Sequence, residues 1–147
     1  MRPRWPLWKW SLVVTAAACL LVAWHCGSAL VRGKHLDAAA VLQFHQRLNA
    51  EQYEVIWNDA DQRFKDSGPH DQMQKFFQAV HTKLGDAGSV NLGSIRLNAT
   101  TNGTFIITQH NTTFTHASGT ETFTWLLQNS SLKLVGYNIQ SNALITN

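Results

Sequence analysis

Met73-Gln-Lys-Phe-Phe-Gln-Ala-Val-His-Thr-Lys-Leu84-Gly85-Asp-Ala-Gly88-Ser-Val-Asn-Leu-Gly-Ser-Ile-Arg-Leu-Asn98 contains the boundary on which the fold turns. Before it, apolar residues recur at helical spacing: Met73, Phe76, Phe77, Val80 and Leu84 fall at i, i+3, i+4, i+7 and i+11, one face of an amphipathic helix. Gly85 directly after Leu84 is a stop signal, because glycine takes the backbone turn that ends a helix at low cost. After Gly88 the helical period disappears, and Thr, Asn and branched residues take over.

Working towards the N-terminus, the helical pattern repeats twice. Tyr53, Ile56, Trp57, Ala60 and Phe64 share one face, and Asp66-Ser67-Gly68-Pro69 ends that helix, since proline cannot continue it. Asn49-Ala50-Glu51-Gln52 ahead of it reads as a capping box, with Asn49 as cap and Gln52 reaching back. Val41, Phe44, His45 and Leu48 form the stripe of an earlier helix that starts near Asp37, after the polar junction Gly33-Lys34-His35. Working towards the C-terminus, Ser89–Asn98, Thr104–Thr115, Thr120–Asn129 and Leu132–Ser141 read as four strands. Asn102-Gly103, Ser118-Gly119 and Asn129-Ser130-Ser131 mark the turns, short enough only for antiparallel neighbours. Phe123, Trp125 and Leu127 alternate onto one face, as do Val135, Tyr137 and Ile139. Three helices followed by four strands predict an α+β domain over residues 35–147, helices on one face of an antiparallel meander.

Residues 1–34 have a different composition. They hold five basic residues (Arg2, Arg4, Lys9, Arg32, Lys34), no acidic one, both cysteines and four of the six tryptophans. Ser11 to Trp24 is an uncharged apolar run, the layout of a signal peptide or signal anchor. As a helix that run spans ~21 Å, short of the ~30 Å hydrocarbon core and suited to a cleaved signal, with Gly27-Ser28-Ala29 as the site near Ala29. Counted over residues 10–31 it reaches ~33 Å, long enough to span. The retained anchor is the favoured of the two. In both cases Arg2, Arg4 and Lys9 keep the N-terminus cytoplasmic, so the domain is expected on the outer side of a bacterial inner membrane, facing the periplasm or the cell exterior, or secreted there after cleavage.

The leader also carries the chain's basic balance. The whole chain has a net charge of +3, yet from His35 onward seven Lys/Arg stand against nine Asp/Glu. The domain is therefore mildly acidic, nucleic acid loses its main electrostatic support as a partner, and none is expected. It has no cysteine, so no disulfide and no thiolate metal site is available to it.

Tyr53-x-x-x-Trp57, Phe76-Phe77 leading to Leu84-Gly85, Glu121-x-Phe123 and Leu132-Lys-Leu-Val-Gly-Tyr-Asn-Ile139 together resemble the nuclear transport factor 2-like, or cystatin-like, cone fold. More narrowly, they resemble the small exported bacterial domains of unknown function within that group, over roughly residues 38–139. The resemblance implies a curved four-stranded sheet with a pocket between helices and sheet. It also implies a homodimer through the open sheet face. It brings no activity to carry over, although some members of the superfamily run isomerase or dehydratase chemistry in that pocket.

Candidate chemistry follows from these placements. His110 and His116 on one straight strand would stand ~20 Å apart and cannot share a metal ion. His45 on an apolar face reads as a hydrogen-bonded core histidine. No metal site, phosphate loop or nucleophile elbow is present in the pattern, and no cofactor is expected. Glu121 is in phase with Phe123 and Trp125; pointing inward, it would have a raised pKa and could act as a base, with His116 as the other candidate. The plainer reading puts Glu121 at a strand end, in water. Tyr53, Trp57, Glu121, Trp125 and Tyr137 are the candidate ligand-binding residues, with core packing as the plainer reading of the aromatics. The leading expectation is a non-enzymatic, membrane-anchored domain that contacts another protein in the envelope. A module for a small apolar ligand is the alternative, and an acid–base enzyme using Glu121 or His116 the third reading.

Overall fold

The computed structural model describes residues 33–145. The chain divides into two units, Met1–His35 and Leu36–Asn147, and the second is an α+β domain. The expected leader, with its span over 10–31 and cleavage near Ala29, lies outside the described residues apart from Gly33 and Lys34. Among the described residues no helix is long and apolar enough to cross a membrane.

Residues 33–49 are helical (α1), followed by Tyr53–Asp59 (α2), Gln62–Lys65 (α3) and His70–Leu84 (α4). The strands are Ala87–Thr100 (β1), Gly103–Phe114 (β2), Ser118–Gln128 (β3) and Ser131–Gln140 (β4), and a short 3-10 turn at Asn142–Leu144 follows. They form one antiparallel sheet in the order β1-β2-β3-β4, each strand beside its sequence neighbour. Four apolar stripes meet in one core. Val41, Phe44 and Leu48 come from α1, and Phe77, Val80 and Leu84 from α4; Phe123 and Trp125 come from β3, and Leu134 and Ile139 from β4. Phe77 is its aromatic hub, 5.8 Å from Phe44, 6.2 Å from Phe64 and 6.0 Å from Tyr137 between ring centroids.

Several boundaries differ from the sequence expectation, each for a physical reason. The junction Gly33-Lys34-His35 is already helical. The second helix is two: Ala60 and Asp61 are extended, and the Asp61 N–H donates to the Leu134 carbonyl of β4 at 2.9 Å instead of continuing the helix. Asp61 then caps α3, its carboxylate accepting from the Arg63 N–H at 3.0 Å. The capping box at Asn49–Gln52 does not form. The Asn49 amide pairs in both directions with Ala87, accepting from its N–H at 2.8 Å and donating to its carbonyl at 3.0 Å, which clamps the end of α1 to the start of β1. Ser118-Gly119 is not a turn but the opening of β3, where a Cβ on Gly119 would stand 3.3 Å from the Gln140 carbonyl. In β4, Thr124 opposes Gly136 and Trp125 opposes Leu134, so Val135 is bulged out and Leu134 takes the inward place expected of it. The stop at Gly85 does occur, with φ +79°.

Candidate functional site

Two alternations build the site. The inward face of β2 runs Ile106, Thr108, His110, Thr112, Phe114, all buried, so its apolar ends enclose three polar residues. The inward face of β3 presents Glu121, Phe123 and Trp125, with Glu121 directly opposite His110. Above them lies α1, whose buried stripe contains Asp37 and His45 as well as its apolar residues. Eight residues of helix advance ~12 Å and four of strand ~13 Å. Asp37 and His45 are therefore spaced to match Trp125 and Glu121, one β3 residue to each.

Glu121 is fully buried, at 0 % exposure. Its Oε2 accepts from His45 Nε2 at 2.8 Å and from the Thr112 hydroxyl, and its Oε1 accepts from the Tyr137 hydroxyl at 2.7 Å. Burial by itself pushes this carboxyl up. The hydrogen bond and charge of His45, with the hydroxyls of Thr112 and Tyr137, outweigh it, and the pKa lies below the ordinary value. The expectation of a raised pKa is thus corrected: the side chain points inward, but into donors and not into an apolar pocket. Tyr137 shifts the other way, well above its ordinary value, through burial first and then the charge and hydrogen bond of Glu121.

Asp37 occupies a second, similar cage. Its Oδ1 accepts from the Thr108 hydroxyl at 2.7 Å and from the Trp125 indole N–H at 3.0 Å. His110 Nε2 stands 3.0 Å from Asp37 Oδ2, but neither ring nitrogen of His110 meets hydrogen-bond geometry with any partner among the described residues. Each buried carboxylate is therefore surrounded by a threonine, a histidine and an aromatic side chain with a polar hydrogen. Asp37 and the Thr108–His110–Thr112 row were not among the sequence candidates. The signal was there: Asp37 is in phase with Val41, Phe44 and Leu48, and the β2 row alternates with exposed Gln109 and Asn111.

The sequence candidates fall in different places. Glu121 and Tyr137 are joined directly, and Trp125 lies stacked on Phe123 at 5.2 Å and 4°, with Phe123 in turn 5.1 Å from Tyr137. Tyr53 stacks on Phe77 from α2, and its hydroxyl faces His81 Nδ1 at 3.3 Å. Trp57 packs edge-on against Phe64 and His70. His116 is not on a strand: β2 ends at Phe114, and His116 is exposed in the turn, its N–H bonded to the Leu84 carbonyl. It is on the surface while Glu121 is buried, so the two candidate bases do not share an environment.

A cleft of about 190 Å³ opens beside Trp125, lined also by Phe44, Arg47, Asp59, Lys133 and Leu134. Tyr53, Trp57, Glu121 and Tyr137 do not line it. Its polar groups engage one another, Arg47 pairing with Asp59 at 2.6 Å and Lys133 donating to the Asp59 carbonyl at 3.1 Å. Among the described residues, no group of three or more His, Cys, Asp or Glu is placed to hold a metal ion. The interior thus holds two buried carboxylates, Asp37 and Glu121. Glu121 accepts from three donors and Asp37 from two, so each carboxylate is held in place while keeping at least one acceptor site unfilled.

Residues 40–137 match the model of a family described as "Protein of unknown function (DUF4019)". No curated protein matches the chain.

Proposed function

The chain belongs to the DUF4019 family, and from that premise we propose that it is a non-catalytic protein-contact domain of the bacterial envelope. Its plan is that of the nuclear transport factor 2-like group, and residues 1–34 hold it at the membrane. The observation that carries this reading is strand β1. It is 14 residues long, lies at the edge of the sheet, and leaves Leu92 and Leu97 exposed at 40 % and 37 %. A long edge strand is a template for pairing with another chain, and proteins that do not use such an edge blunt it with charges, prolines or a covering element. The charge layout of the leader supports the membrane placement, since basic residues on one side of an apolar run orient it. Tethering then raises the effective concentration of any partner on the same surface.

The full burial of Glu121 and the three donors that hold it argue against acid–base work. The cleft beside Trp125, at about 190 Å³, is small for a ligand site, and a larger hollow of about 690 Å³ lined by Asn91, Thr113, Ser118 and Gln140 lies open to solvent. The test places a photo-crosslinking residue at position 92 of the full chain in the cells that make it, with native mass spectrometry of the purified chain alongside. A protein adduct at that position, with no discrete small-molecule increment in the mass, is the expected result. A copurifying small molecule and no adduct would overturn the reading in favour of a ligand-binding module.

A further inference from the structure

We propose that the occupant of β1 is a second copy of this chain, the two β1 strands pairing antiparallel about a twofold axis between Gly93 and Ser94. This rests on the protein-contact reading above and names its partner.

The argument starts from register. Along β1, Val90 opposes Thr112, Leu92 opposes His110, Ile95 opposes Thr108 and Leu97 opposes Ile106, with a register shift between Leu92 and Ser94. Their partners are alternate residues of β2 and face the core, so the four apolar residues of β1 lie on that same face. The bulge at Gly93 is what keeps them together, since without the extra residue Leu92 and Ile95 would face opposite sides. The other face of β1 carries Asn91, Ser94, Arg96 and Asn98. Beyond the helix layer, therefore, the sheet continues as a strand with a polar outer face and a half-covered apolar inner one.

That apolar row is self-complementary. Antiparallel pairing centred between Gly93 and Ser94 sets Leu92 opposite the other copy's Ile95, and Val90 opposite its Leu97. Every apolar residue then meets an apolar one on a single face, the arrangement in which cross-strand pairs stabilise a sheet. The four residues also share one backbone phase along β1, which pairing with one another requires. On the polar face Arg96, the single charged residue of β1, meets Asn91 and not its own image, so no like charges are opposed. A twofold axis makes each such contact occur twice, as an isologous interface demands.

The two edges of the sheet contrast in a way that supports this use. At β4, the Leu134 carbonyl is taken by the Asp61 N–H, α3 packs alongside, and Lys133 adds a charge. β1 has no proline, no acidic residue and no lysine, and among the described residues no strand lies on its outer side. One edge is closed by a neighbouring element, while the other, apart from its two bulges and Arg96, is uncovered among the described residues.

The experiment uses the full chain in mild detergent. Sedimentation should give a dimer, and Leu92→Lys with Leu97→Lys should weaken it at least tenfold while leaving the far-UV circular dichroism unchanged, since both side chains are exposed. Register is read with Cys19→Ser and Cys26→Ser as background: oxidising a mixture of Asn91→Cys and Arg96→Cys chains should give the mixed disulfide, and Asn91→Cys alone should not. A dimer that survives the two lysine substitutions, or crosslinks equally in both arrangements, overturns the proposal. So does a chain that stays monomeric while a photo-crosslinker at position 92 captures a different protein; that outcome leaves the protein-contact reading standing. A monomer with no adduct at position 92 ends both.

Discussion

Tyr137 donates its phenolic hydrogen to Glu121 Oε1 at 2.7 Å from the neighbouring strand, diagonally across the register, Glu121 being opposite Ile139 and Tyr137 opposite Phe123. The same contact is felt from both ends, lowering the carboxyl pKa and raising that of the phenol.

Removing that hydroxyl leaves a buried charge one donor short. Tyr137→Phe keeps the ring contacts with Phe44 and Phe123, so the loss isolates the hydrogen bond. A hydrogen bond to a charged group contributes ~1.5–3 kcal/mol, and the urea unfolding midpoint should move down by a corresponding amount. An unchanged midpoint would show that the carboxylate does not depend on Tyr137.

The pH dependence has a defined sign at each end. Glu121 titrates below the ordinary value of 4.5 when folded, so the unfolded chain takes up the proton first as pH falls. Its contribution is full above the unfolded value and is lost as pH falls through the folded one. Tyr137 titrates above the ordinary 10.0 when folded, so its contribution is full below the unfolded value and disappears as pH rises through the folded one. Urea midpoints taken from roughly pH 3 to roughly pH 11 should therefore fall at both extremes. Glu121→Gln should flatten the acid limb and Tyr137→Phe the alkaline limb. An acid limb as steep in Glu121→Gln as in the parent chain would assign it to other groups.

Asp37→Ala removes the acceptor of both Thr108 and the Trp125 indole. Two buried donors left without partners cost ~1–3 kcal/mol each, and the thermal midpoint should drop accordingly. Asp37→Asn keeps an acceptor oxygen and should cost clearly less. Equal losses would mean that the negative charge, and not the acceptor, is what the cage requires.

Asn49→Ala should cost about 1–2 kcal/mol, because the two hydrogen bonds to Ala87 go together and leave backbone groups of the first strand residue unpaired. Asn49→Asp keeps the bond from the Ala87 N–H and loses the other. Hydrogen exchange at the start of β1 should accelerate in both variants, more in the first.

Gly85→Ala places a methyl group 2.9 Å from Thr115 Cβ at a residue with φ +79°. A side chain is disfavoured there on both counts, and a loss of about 1–3 kcal/mol in chemical denaturation is the expected result.

Much of this architecture was legible because it is local. The stripe Val41-Phe44-His45-Leu48 and the stripe from Met73 to Leu84 repeat on the helical period; the first is buried throughout, and in the second Phe77, Val80 and Leu84 are buried and Met73 and Phe76 partly so. At several boundaries that differ from the sequence expectation, a distant group captured a local one. Asp61 lost its helical continuation to the Leu134 carbonyl, and Asn49 gave its capping role to Ala87. Val135 left its alternation for a bulge that only pairing with β3 defines. His116 looked like a strand residue because Thr115 and its neighbours are good strand formers, yet its N–H is held by Leu84 in a turn.

The sequence by itself determined the α+β class, the order of helices and strands and the antiparallel neighbours, since periodicities of 3.6 and 2 and short turn lengths are properties of adjacent residues; for Glu121 its plainer reading, a strand end in water, is overturned by full burial. Only the tertiary structure decided what surrounds Glu121 and Asp37. His45 reaches Glu121 across 76 residues of chain, and Trp125 reaches Asp37 across 88. What surrounds a buried carboxylate depends on which donors the fold brings within about 3 Å, and the packing of α1 across the sheet joins His45 to Glu121 and Asp37 to Thr108 and Trp125.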